Sequence, residues 1–132
     1  MLLVDTNFLV DVLQDDPQWA NWSIGQLRVQ ASIHQLAINP IIYAEISLSF
    51  STLEGLDSAV STLALELREI SRPALFLAAK AYAQYRKRGR SKLQVQSDFF
   101  IGAHAAVEGS PLLTRDASRF RTYFPTLEVV AP

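Results

Sequence analysis

The chain has 132 residues, no cysteine and a formal net charge of −1. That length suits a single domain over residues 1–132 with a core of its own, and 49% apolar with 19% charged residues describes a compact globule rather than a disordered segment. The lack of cysteine excludes thiol catalysis, disulfides and thiolate metal sites; no apolar run reaches bilayer-spanning length; and Asp5 and Asp11 break an N-terminal apolar stretch that has no basic region ahead of it, so it does not read as a secretory leader.

Residues 2–5 are a continuous apolar run ending in Asp5, which predicts a first strand. Thr6 follows as the cap of a short helix over about residues 7–13. Asp15-Asp16-Pro17 stops it and starts a second helix over about residues 17–31. Leu36-Ala37-Ile38 predicts a second strand. Asn39 then caps a helix and Pro40 takes its first position, the order that the unpaired N–H groups of a helix start favour. That helix is expected to run to about residue 51. Another covers about residues 53–67, and a marginal strand covers 68–71. Residues 73–88 read as a helix closed by basic residues and Gly89. Residues 96–108 read as a helix, 112–114 as a strand, 117–123 as a short helix and 127–130 as a last strand. Strands alternating with helices predict an α/β fold with a parallel sheet of four to five strands flanked by helices. In open parallel sheets ligands bind beyond the carboxyl ends of the strands, near the switch in strand order.

Four carboxylates fall at that level. Asp5 ends Leu2-Leu3-Val4, and Asp116 follows Pro111-Leu112-Leu113-Thr114-Arg115. Asp98 opens a helix that is apolar nearly all round, and Glu45 is the only charge between Pro40 and Phe50. Taken singly, Asp5 and Asp116 could cap the helices that follow them, and Asp98 could sit in a first turn because the helix dipole favours it. Glu45 is harder to explain. Its helical neighbours Ile41, Ile42, Leu48 and Ser49 predict a buried face, where a carboxylate caps nothing and needs a cation or a raised pKa. Together, four crowded acids cannot all stay ionised without compensation. Mg²⁺ or Mn²⁺ supplies it through oxygen ligands. Zinc does not fit, because there is no Cys and neither His falls at the acidic rim.

Charge is unevenly distributed. Residues 1–67 hold eight acids and the single base Arg28, a net −7, whereas residues 68–121 hold eleven bases and four acids, a net +7. Such polarity points to an anionic partner. Arg86, Lys87, Arg88, Arg90 and Lys92 form a basic track leading towards Asp98, a candidate path for phosphates. Its plain alternative is a solvated helix terminus with favourable dipole contacts. Arg115, Arg119 and Arg121 could extend the track.

In their order and spacing, Leu3-Val4-Asp5-Thr6-Asn7, Ala44-Glu45-Ile46, Asp98-Phe99-Phe100-Ile101-Gly102-Ala103-His104-Ala105 and Leu113-Thr114-Arg115-Asp116 resemble the PIN domain, and within it the VapC-type toxins of prokaryotic toxin–antitoxin pairs. Phe124-Pro125 before the last strand also fits. One departure is visible: a proline often precedes the third acid, and here Ser97 stands there, expected as a helix N-cap. The resemblance implies a three-layer PIN-like fold and a metal-dependent endoribonuclease. It makes Asp5, Glu45, Asp98 and Asp116 the metal-site and catalytic acids, with Asn7 and Thr114 as supporting polar groups and Mg²⁺ or Mn²⁺ as cofactor. It implies RNA cleavage leaving 5′-phosphate and 3′-hydroxyl ends, a homodimer, a cognate antitoxin as partner and a cytoplasmic location. Trp19 and Trp22, one helical turn apart, read first as core and second as part of an antitoxin groove. Tyr82 and Tyr85 read as packing or dimer contacts, His104 as a packed histidine pointing away from Asp98, and His34 as exposed.

Two other classes compete. A PIN-like module could bind RNA or a protein without cutting. A receiver-type phospho-acceptor domain would also be α/β with an acidic Mg²⁺ site, but no Lys occurs after Lys92, and Thr6 and Asn7 stand where a second acid would be sought. An Asp-x-Asp phosphatase fails on Asn7 in the same way.

Overall fold

The computed structural model describes residues 1–89 and 95–132. Five strands form one parallel sheet: β1 (Leu2–Val4), β2 (Leu36–Ile38), β3 (Glu66–Leu67), β4 (Leu112–Leu113) and β5 (Val129–Val130). Their spatial order is β3-β2-β1-β4-β5. The chain therefore winds outward from β1 to one edge, returns, and winds outward again from β4. The switch in strand order lies between β1 and β4, where Leu3 pairs with Leu112 and Val4 with Leu113. The helices are α1 (Thr6–Leu13), α2 (Ala20–Ala31), α3 (Pro40–Ile46), α4 (Leu53–Thr62), α5 (Arg72–Lys87), α6 (Gln96–Glu108) and α7 (Ser118–Tyr123). Among the described residues, no helix is long and apolar enough to cross a membrane.

The three central strands β2, β1 and β4 are short but fully covered, whereas edge strand β3 is exposed and edge strand β5 half-buried. Leu2, Leu3, Val4, Ala37, Ile38, Leu112 and Leu113 are all buried, as a parallel sheet faced by helices requires. Phe8, Leu9, Ile42, Ile46, Phe99, Ile101 and Phe120 supply the helical side of the core. The α/β architecture, the all-parallel sheet and the order of elements agree with the sequence-based expectation.

Several boundaries differ for identifiable reasons. Asp5, not Thr6, is the N-cap of α1, accepting from the Thr6 N–H at 2.8 Å. Asp16 accepts from the N–H groups of Gln18 and Trp19, which builds a turn and delays the start of α2 to Ala20. After Ile46 the α3 backbone tightens into a 3₁₀ turn, Ser47–Ser49, where the Ser47 hydroxyl donates to the Tyr43 carbonyl. Helix α4 stops at Thr62 because Ala64 enters the left-handed region at φ 54°. The strand expected at residues 68–71 consequently pairs earlier, as Glu66–Leu67, although the Arg68 N–H still reaches the Ile38 carbonyl at 2.8 Å. Helix α6 is preceded by Val95, which makes no side-chain cap, so Ser97 is not the cap expected of it.

Candidate active site

The residues that follow β1 and β4 meet at the switch point. Asp5 leaves β1 and caps α1, and its N–H donates to the Leu113 carbonyl at 2.9 Å. Thr114 leaves β4 fully buried. Its hydroxyl donates to Asp5 Oδ2 at 2.7 Å and accepts from the Asp116 N–H at 3.2 Å. Asn7 Oδ1 accepts from the Arg115 N–H at 3.3 Å and lies 3.5 Å from the Thr114 hydroxyl. One threonine therefore ties two loops that are 109 residues apart in sequence.

Glu45 enters from α3. Thr6 Oγ1 donates to its Oε1 at 2.6 Å and Ser97 Oγ to its Oε2 at 3.1 Å. The buried face expected for Glu45 is only half formed. Ala44 is exposed, and Leu48 is 92% exposed because it belongs to the 3₁₀ turn rather than to α3. The carboxylate is satisfied by two hydroxyls, so its position alone does not demand a cation. Thr6 and Ser97 are the site residues that sequence reasoning placed in the wrong role. Both look like local helix caps, and both serve a carboxylate 39 and 52 positions away.

Asp98, in the first turn of α6, is paired with Arg119 of α7 through Oδ2 and Nη1. The sequence lets Arg119 extend the basic track, but the fold spends one of its donors on Asp98. Asp116 is exposed rather than set in apolar surroundings; its Oδ1 receives the Ser118 N–H at 3.4 Å, the capping contact considered for it. Arg115, also expected on the track, bonds the buried Asp11 at 2.9 Å and lies 5.5 Å from the Trp19 ring. Arg86, Lys87 and Arg88 are exposed at the end of α5, while Arg90 and Lys92 lie outside the described residues.

The electrostatics connect the four acids. Burial raises Asp5 from 3.8 to about 7; the charge of Asp98 adds to this, donation from Thr114 and from the Thr6 N–H opposes it, and Glu45 adds a further increment. Asp98 is also raised, first by burial, then against the opposing Arg119, with Glu45 and Asp116 contributing. Each acid thus faces at least one other. Among the described residues, however, no three His, Asp or Glu side chains converge closely enough to hold a metal ion together. Asp98 is turned onto Arg119 and Glu45 onto two hydroxyls, which accounts for the open arrangement.

The tempting histidine is structural. His104 is buried, and its Nδ1 lies 3.1 Å from Asn39 Nδ2, the amide of a residue that also caps α3. Burial lowers its pKa, so the neutral ring accepts the amide proton. His34 is half-buried rather than exposed. Trp22 packs its ring edge-on to Phe8 at 5.5 Å and Trp19 at 6.2 Å. Tyr82 and Tyr85 stack at 5.9 Å and both pack on Phe99, a core role.

The PIN domain family matches residues 2–124. No curated protein matches the chain in sequence. Three solved structures are similar over nearly their whole length. VapBC2 of Rickettsia felis, bound to a DNA fragment from its promoter, is 20% identical with a TM-score of 0.76, over 99% of this chain and 98% of that one. VapBC-1 of nontypeable Haemophilus influenzae is 18% identical with a TM-score of 0.74, over 98% and 96%. DNA-bound VapBC of Salmonella typhimurium is 18% identical with a TM-score of 0.71, over 99% and 98%. At these identities the likeness shows the fold.

Proposed function

Since the chain belongs to the PIN domain family, we propose that it is a metal-dependent endoribonuclease, a single PIN-like domain acting in the cytoplasm as the toxin of a type II toxin–antitoxin pair. The observation that carries the reading is the coupling of Asp5, Glu45, Asp98 and Asp116 at the β1–β4 switch point, where burial, with the charges of Asp98 and Glu45 added, raises Asp5 to about 7. In chemistry the donor set fits a hard cation: every candidate ligand is an oxygen, and among the described residues Arg119 is the one base paired with these four acids. Asp5, Glu45, Asp98 and Asp116 would hold Mg²⁺ or Mn²⁺, which when bound supplies an activated water and neutralises charge on the scissile phosphate. Thr114 fixes the Asp5 carboxylate and the Asp116 backbone, Thr6 and Ser97 hold Glu45, and Asn7 positions the loop after β4. Likeness to VapBC complexes supports a cognate antitoxin as partner, and the assembly is proposed as a homodimer.

The test is cleavage of transfer, ribosomal and messenger RNA with Mg²⁺ or Mn²⁺, repeated with chelator and with Asp5→Asn. Activity is expected only with metal and the intact acid. Cleavage that survives both changes would end the metal mechanism. The Arg119–Asp98 pair favours a second reading, a PIN-like module that binds RNA or a protein without cutting. Calorimetry showing no uptake of millimolar Mg²⁺ or Mn²⁺ would select it.

A further inference from the structure

Arg119 connects Asp98 to a second feature. A polar pocket of about 130 Å³ is lined by Tyr85, Arg88, Ser118, Arg119, Thr122 and Tyr123, bringing the end of α5 against α7. Its volume is well below the ~300 Å³ at which ordinary small-molecule sites begin, so it suits one small polar group rather than a base with its sugar. Its character is cationic. Both arginines are pre-set on aromatic rings: Arg88 lies 5.1 Å from the Tyr123 ring with Nη1 3.5 Å from that hydroxyl, and Arg119 lies 6.0 Å from the Tyr85 ring. Arg119 uses Nη1 on Asp98. A guanidinium carries five N–H donors in a fixed fork, so donors remain for a ligand. Ser118 and Thr122 add hydroxyls, and Thr122 gives its proton to the Ser118 carbonyl, which leaves its oxygen able to accept.

Among the described residues lining the pocket, no aromatic face is open for a base. Tyr85 is 3% exposed and packs against Tyr82, Phe99 and Tyr123, while Arg88 covers Tyr123. Base recognition in single strands relies on stacking platforms, and this pocket offers fixed guanidinium forks instead, the geometry that suits phosphate.

We infer that the pocket between α5 and α7 holds one backbone phosphate of a single-stranded RNA whose neighbouring nucleotides run past the acidic site, and that it does so without reading the base. The inference rests on the ribonuclease reading only for the identity of the polymer.

Binding is measured by fluorescence anisotropy of short oligo-U and oligo-A RNAs on the intact protein in excess chelator, across a series of salt concentrations. Arg88→Ala is expected to weaken both RNAs by about tenfold at low salt and to make the slope of log affinity against log salt shallower by about 0.7, one phosphate's share in a single strand. Arg121→Ala, an exposed arginine of α7 that does not line the pocket, is expected to change little. Equal losses from both variants would mean diffuse attraction and overturn the pocket. A loss confined to one base would overturn the base-blind assignment. Inorganic phosphate that displaces the RNA at micromolar concentration would make free phosphate the occupant and overturn the polymer. Chelator keeps the outcomes separate: cleavage can fail while Arg88-dependent binding holds, or succeed while Arg88→Ala changes nothing.

Discussion

At the scale of single residues, Asp5 carries the heaviest electrostatic load. Its folded value, about 7, lies above the unfolded 3.8, so between those values the folded state binds more protons. The stability contributed by neutral Asp5 is present in full below about pH 3.8 and is lost as pH rises through about 7. At 1.36 kcal/mol per unit this amounts to about 4 kcal/mol. In chelator, Asp5→Asn is therefore expected to melt several degrees above the wild type at pH 8, and the two are expected to converge near pH 4. Thermal unfolding followed by circular dichroism checks it; a variant that melts lower than wild type at pH 8 would show that Asp5 is stably ionised. Much of this residue-level picture was legible beforehand. Asp5 and Thr114 stand at the ends of apolar runs that must be strands, so their level in the sheet follows from local pattern. The partners of Glu45 and Asp98 were not legible. Thr6, Ser97 and Arg119 look like a cap, another cap and a surface base, and only the fold brings them to distant carboxylates.

At the scale of elements, α6 shows how tightly the site is backed. Gly102 lies on the buried side of α6 against the C-terminal end of α7. A Cβ there would sit 2.5 and 2.6 Å from ring carbons of Phe124 and 3.1 Å from Phe120. Both rings are almost fully buried, and Phe124 also packs on Phe99, so they have little room to yield. Gly102→Ala would gain up to ~1 kcal/mol in helix propensity but overpack a filled contact at about 1–3 kcal/mol. We expect a net loss of about 1–2 kcal/mol in urea unfolding, and wild-type or greater stability would show that the rings move freely. Because α7 carries Arg119, the same variant should disturb its contact with Asp98. Element types were legible from periodicity and caps, as Asn39-Pro40 shows. Element ends were less so where a non-glycine residue takes a left-handed conformation: nothing in the sequence marks Ala64 as the residue that stops α4.

At the scale of the whole molecule, the division of charge along the sequence becomes a division across the sheet. The acidic residues 1–67 supply β1, β2 and β3, and the basic stretch supplies α5, α6, β4 and α7. The acidic site lies on the line where the two meet. A divalent cation bound there would link Asp5 and Glu45 of one half to Asp98 and Asp116 of the other. Because metal ligands must be deprotonated, millimolar Mn²⁺ is expected to raise the melting temperature more at pH 8 than at pH 5. A free concentration one hundred times the dissociation constant would add about 2.7 kcal/mol. The absence of any shift at either pH would count against a metal site. The bond from Thr114 to Asp5 has a further consequence, for the order in which the protein is made. Strand β1 is synthesised early, but its partner β4 and the threonine that fixes Asp5 emerge more than a hundred residues later. A nascent chain still short of that point holds Asp5 without its neighbours from β4 and α7. The site cannot be complete until the chain through Asp116 has been made, so any cleavage that depends on all four acids would begin only after that.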